Sequence, residues 1–104
     1  MPSEQYYREK MSYIIHNLVI GEGDIKERLL SSKKYFYLLK STKGLPDYLK
    51  DDGQFVIDNL TKYGPIIVED TVMQDPILNT IQRIRKKTAS KIAERIFKVY
   101  SFLA

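Results

Sequence analysis

Asp75–Leu103 reads DPILNTIQRIRKKTASKIAERIFKVYSFL. The order of apolar residues in this stretch decides the fold class. Ile77, Ile81, Ile84, Thr88, Ile92, Ile96, Val99 and Leu103 recur at intervals of three or four, which is nearly a heptad seam. Asp75 can cap the first free amides, and Pro76 suits the first helical position, where its missing N–H would be unpaired anyway. The pattern predicts one helix from Pro76 to Leu103. Its 28 residues would span roughly 42 Å at ~1.5 Å each. That exceeds what a compact four-helix body needs, so the end is expected to protrude and seek a partner.

Working back from Asp75, breakers divide the chain at Gly64-Pro65, at Gly44 with Pro46, and at Gly21-Glu22-Gly23. Between them lie three more segments of helical period. The first runs from Ser3, a good N-cap, to Ile20, with Tyr7, Met11, Ile14, Ile15 and Leu18 on one face and Gly21 as a left-handed terminator. The second opens at Asp24-Ile25-Lys26-Glu27, an aspartate form of the capping box, and is expected to end near Lys40. Ile25, Leu29, Phe36 and Leu39 line it, with small Ser32 between them. The third opens at Pro46 and carries Leu49, Val56, Leu60 and Tyr63 on one face. Gly53 lies in the same stripe, where it either permits close helix contact or splits the segment.

Residues 65–75 are β-branched and lack a helical period. They read as an extended crossover lying across the helices, with a short strand as the alternative, able to pair with a second copy. The expected architecture is an all-α, four-helix bundle-like domain spanning residues 1–104, with an extended crossover before a long C-terminal helix. Its core is expected to comprise Met11, Ile14, Leu18, Leu29, Phe36, Leu39, Val56, Leu60, Ile81, Ile84, Ile92 and Ile96.

Composition excludes several classes. The 104 residues include 43% hydrophobic and 29% charged side chains, as in folded globular chains. There is no cysteine, so disulfide frameworks and thiolate zinc sites are out. The first residues lack a secretory signal pattern, and no apolar run approaches the ~20 residues that span a bilayer. A soluble, cytoplasmic protein with no membrane association is expected.

The formal charge of +4 is unevenly placed. Residues 76–104 hold seven basic side chains and one acidic one; residues 1–75 hold ten basic and twelve acidic. The basic excess either meets an acidic partner or packs against the chain's own acidic body. Arg83, Lys87, Lys91 and Lys98 fall on one side of the last helix, with Arg95 beside them. Such a row can follow phosphates, although Glu94 interrupts it. Arg85 falls inside the apolar seam, so it must snorkel outward, pair with a carboxylate such as Asp58, Glu69 or Asp70, or meet an anionic ligand.

Catalytic chemistry finds no support. His16 is the one histidine, and it points away from the apolar face. No Ser-His-Asp or Cys-His arrangement can be assembled. Asp51-Asp52 and Glu69-Asp70 are neighbours whose side chains diverge, so no metal site and no cofactor is expected. Gly21-Glu22-Gly23-Asp24 follows a helix rather than a strand and lacks the third glycine of a dinucleotide fingerprint. Eight tyrosines are many for this length, and tyrosine favours interfaces.

The segments Gly21–Leu29 (GEGDIKERL), Leu60–Pro65 (LTKYGP) and Lys87–Ile96 (KTASKIAERI) resemble those of a group of small uncharacterised bacterial proteins. The resemblance covers most of the chain from about residue 12 onward. It implies a small helical bacterial protein and no activity, so no functional residue comes with it. The expected function is a non-enzymatic interaction module that self-associates as a homodimer through the long helix and its tyrosines, or binds another protein. The alternative is a nucleic-acid-binding protein that uses Arg83, Lys87, Lys91, Arg95 and Lys98.

Overall fold

The structure is a computed structural model and describes residues 3–103. Its elements are α1 (Glu4–Ile20), α2 (Ile25–Leu30), α3 (Lys33–Leu38), α4 (Asp47–Leu60), β1 (Ile66–Val68), β2 (Thr71–Gln74), α5 (Pro76–Arg83) and α6 (Lys86–Leu103). The described chain is thus largely helical, with one antiparallel two-stranded hairpin. α6 is the central element and packs against α4, α1 and α2.

Local chemistry places the helix starts. The Ser3 hydroxyl accepts from the Tyr6 amide at 3.1 Å. Both halves of the capping box form at α2: Glu27 N–H donates to Asp24 Oδ1 at 3.0 Å, and Asp24 N–H to Glu27 Oε1 at 3.4 Å. The Asp75 carboxylate accepts from the Leu78 amide at 2.9 Å, with Pro76 following it. Pro46 stands just before α4, as its cap residue, rather than inside it.

Four expectations are corrected. Gly21 is not left-handed; its φ is −62°, and a Cβ there would lie 2.3 Å from the Asn17 carbonyl oxygen, so close approach demands glycine. The left-handed residue is Gly23, at φ +87°. The second predicted helix is two, because Ser31 and Ser32 interrupt it. Ser32 is fully buried and its hydroxyl takes a 3.0 Å bond from the Asn17 amide group of α1. The long C-terminal helix is also two. Ile84 is extended (φ −76°, ψ 157°) between α5 and α6.

Continuing the helix there would set Arg83 at i,i+3 and i,i+4 from Lys86 and Lys87, which is repulsive. The break is also held from outside: Lys26 of α2 donates to the Gln82 carbonyl at 3.2 Å, and Lys86 lies 3.5 Å from Asp24. α6 alone rises about 27 Å, and Val99 and Leu103 are buried, so its end does not protrude. The break also turns Arg85 out of the seam, and it is exposed. The fourth correction concerns residues 65–75: the short-strand alternative holds in place of the plain extended crossover, as a hairpin paired within the chain.

One core unites the elements. Eleven of the twelve residues expected inside are buried; Leu18 is half-buried against the cluster. Tyr7, Leu45, Leu49, Ile77, Ala89, Val99 and Leu103 complete it. Gly53 lies within an unbroken α4, where a Cβ would meet Leu45 Cδ1 at 2.5 Å; close packing is the reason for glycine there.

Candidate interaction surfaces

α4 ends at Leu60, and the hairpin begins just after Gly64 and Pro65. Its two-residue turn is Glu69-Asp70, and both residues have positive φ, 51° and 63°. Two left-handed turn residues match the right-handed twist of the flanking strands. Val68 pairs with Thr71, Ile67 with Val72 and Ile66 with Gln74, with an irregularity between Ile66 and Ile67.

The base of the hairpin is fastened to the body by polar contacts. The buried Thr80 hydroxyl accepts from the Tyr63 amide and donates to the Tyr63 carbonyl, both at 3.0 Å. Asn79 donates to the Gly64 carbonyl at 2.7 Å. Arg83 then donates to Asn79 Oδ1 at 2.9 Å while its guanidinium lies 5.6 Å from the Tyr63 ring centre. On the returning side Asp75 accepts from Lys33 at 2.6 Å and from the Tyr37 hydroxyl at 2.8 Å. Burial works against ionisation of Asp75, but the Leu78 amide, Lys33 and Tyr37 outweigh it and hold the carboxyl below its ordinary range. Burial, aided by Asp75, raises the Tyr37 phenol in turn.

The arms of this anchored hairpin are apolar and open. Ile67, Val68, Val72 and Met73 are 52–61% exposed. Neighbouring residues on a strand face opposite ways, so both faces carry apolar side chains and neither is covered. The outer strand edges are unpaired. Gln74 Oε1, at the base, is a buried acceptor without a partner among the described residues.

α6 carries two more exposed apolar side chains. Ala89, Ile92, Ile96, Val99 and Leu103 face the core, while Phe97 and Phe102 stand 60% and 59% exposed. A groove beside Phe97 is lined by Phe55, Lys91, Glu94, Arg95 and Lys98. Tyr48, also exposed, donates its hydroxyl to the Phe102 carbonyl at 3.4 Å.

The five cations of the predicted stripe do not share one fate. The break at Ile84 puts Arg83 on α5, where it serves the hairpin base. Arg95 and Lys98 both bridge the buried Asp52 of α4, at 3.3 and 3.1 Å, and the Arg95 guanidinium lies 4.2 Å from the Phe55 ring centre. Lys87 and Lys91 are exposed and meet no carboxylate among the described residues. Part of the basic excess is therefore spent on the chain's own acidic body.

The tyrosines divide similarly. Tyr7 is buried, and burial pushes its phenol up to about 12. Tyr13 and Tyr35 stack at 5.2 Å, and Lys10 lies over Tyr6 and Tyr13. Tyr48 and Tyr63 are exposed. His16 is exposed, and no group of three or more metal-ligating side chains converges among the described residues. No helix among them is long and apolar enough to cross a membrane.

The hairpin patch is the functional candidate that sequence reasoning placed least well. Its signal was the β-branched run Ile66-Ile67-Val68 itself, too apolar to stand free. No protein-family model, curated protein or solved structure matches the chain.

Proposed function

We propose that this chain is a small non-enzymatic interaction module that self-associates, docking its apolar hairpin on the exposed face of α6 in a second copy. The observation that carries the reading is the hairpin: four large apolar side chains on both faces of a segment pinned at its base. An isolated two-stranded ribbon is marginal in water. Contiguous exposed apolar surface on a small protein marks an interaction site.

A second copy fits this surface in two respects. The hairpin tip is acidic at Glu69 and Asp70, while α6 offers the exposed Lys87 and Lys91, which have no acidic partner among the described residues. Phe97 and Phe102 are exposed on the same helix, roughly 140° apart around its axis, so they flank the basic row on either side. A standard interface takes about 800 Å² per partner, roughly an eighth of the 6557 Å² surface here. One face of a short hairpin is too small for that, which favours engaging α6 as well. Reciprocal exchange about a twofold axis closes the pair as a homodimer.

The test is molar mass by light scattering across a concentration series. The wild type is expected to run as a dimer at micromolar concentration. Val72→Lys and Phe97→Lys are each expected to give monomers with little change in melting temperature. A monomeric wild type at high micromolar concentration would remove the reading.

A second reading rests on the groove at Phe55 and Phe97, where aromatic rings interleave with Lys91, Arg95 and Lys98. Rings can stack on bases while cations follow phosphates. Anisotropy with a labelled single strand and a duplex, at low and physiological salt, tests it. Steeply salt-sensitive binding that Lys87→Glu with Lys91→Glu removes is the outcome expected of a nucleic-acid surface; no binding at low salt ends that reading.

A further inference from the structure

The core is not filled throughout. Between α1, α3, α4, α5 and α6 lies a cavity of about 140 Å³. Its walls are Met11, Phe36, Val56, Leu60, Ile77 and Val99, all buried. Protein interiors are ordinarily packed as densely as organic crystals, with few voids larger than a water molecule. A cavity of this size has room for a molecule of about one aromatic ring.

The cavity is partly open to solvent, and its lining includes the exposed Lys40 and Thr61 and the hydroxyl-bearing Tyr7, which donates to the Leu39 carbonyl at 3.5 Å. Their chemistry differs. The Thr61 hydroxyl spends its proton on the Ile57 carbonyl at 2.8 Å. Tyr37, also at the lining, spends its own on Asp75, whose charge is met by Lys33. Lys40 makes no ion pair with a carboxylate among the described residues. The rim thus includes a lysine, whose ammonium has three donors, beside an apolar interior, a combination complementary to an amphipathic anion.

We infer that this cavity is a binding site for a small monocarboxylate whose apolar body is about one aromatic ring in size. The body seats against Met11, Val56, Leu60 and Val99, and the carboxylate pairs with Lys40 at the mouth. The site is separate from the hairpin and from the outer face of α6, so it stands whether or not the chain dimerises.

The experiment is a methyl-detected NMR titration of the full chain with phenylacetate, and in parallel with the neutral phenylacetamide. Phenylacetate is expected to shift the methyls of Met11, Val56, Leu60 and Val99 saturably. Lys40→Gln, at an exposed position, is expected to weaken phenylacetate by up to about fivefold, the upper end for an exposed ion pair, and to leave phenylacetamide unchanged. Val56→Phe is expected to abolish both; should that variant not fold, the Lys40→Gln comparison decides alone. Unmoved core methyls at millimolar phenylacetate would overturn the inference. So would an affinity for phenylacetate that Lys40→Gln leaves intact.

Discussion

Thr80 has no exposed surface, yet it carries a hydroxyl. That hydroxyl answers both the amide and the carbonyl of Tyr63, and so fixes the point at which the chain leaves α4 for the hairpin. Thr80→Val keeps the shape and removes both bonds, leaving backbone groups unpaired. A buried group left without its partner costs about 1–3 kcal/mol, so urea unfolding should show a loss of that order, with Thr80→Ser losing less. Asp75 makes a pH-dependent contribution at the other side of the base. Its folded pKa lies beneath the ordinary 3.8. The stability it adds is present above that value and is lost as pH falls through the lower, folded one. The melting temperature of the wild type should therefore fall more steeply below pH 4 than that of Asp75→Asn, which has no carboxyl to protonate. Parallel acid profiles would show that the Lys33 and Tyr37 contacts to Asp75 add nothing. Asp52 is a further residue whose surroundings explain it. It is buried beneath Arg95 and Lys98, which are themselves 43% and 51% exposed in their side chains, so screening keeps the pair modest. Asp52→Asn should cost about 1 kcal/mol by thermal unfolding.

Among the elements, the hairpin turn is the most open to improvement. Glu69 and Asp70 both adopt left-handed backbone, which disfavours ordinary side chains by about 1 kcal/mol each. Asn-Gly is the sequence this turn type prefers. Replacing Glu69-Asp70 by Asn-Gly should stabilise the hairpin by about 1 kcal/mol, read as slower amide exchange along β1 and β2. The helix starts were legible because their determinants are local. Ser3, Asp24 with Glu27, and Asp75 with Pro76 each act on amides within a turn. The buried stripes were legible for the same reason, since residues three and four apart share a face. The breaks were not. Ser31-Ser32 yields to Asn17 across fifteen residues, and Ile84 yields to Lys26, whose bond to Gln82 spans fifty-six. Arg85 was misplaced as a consequence, because its direction depended on a helix that does not continue. The hairpin was hidden by a turn without glycine or asparagine.

At the scale of the molecule, the charge asymmetry resolves into two parts. Asp52 and Asp24 engage Arg95, Lys98 and Lys86, an arrangement that no local pattern could forecast across more than forty residues. Lys87 and Lys91 are left exposed on the helix that also exposes Phe97 and Phe102. The acidic, apolar hairpin is the surface that the proposed dimer sets against them. Its side chains lie where they add little to the monomer, so single substitutions there should leave folding within about 0.5 kcal/mol while changing association. The most direct measurement of this account is an isotope-filtered NOE experiment on a mixture of labelled and unlabelled chains. Cross-peaks between the methyls of Ile67 and Val72 on one copy and the ring protons of Phe97 and Phe102 on the other are the predicted result. A mixture that shows no intermolecular peaks, with those methyls seeing only their own chain at millimolar protein, would contradict it.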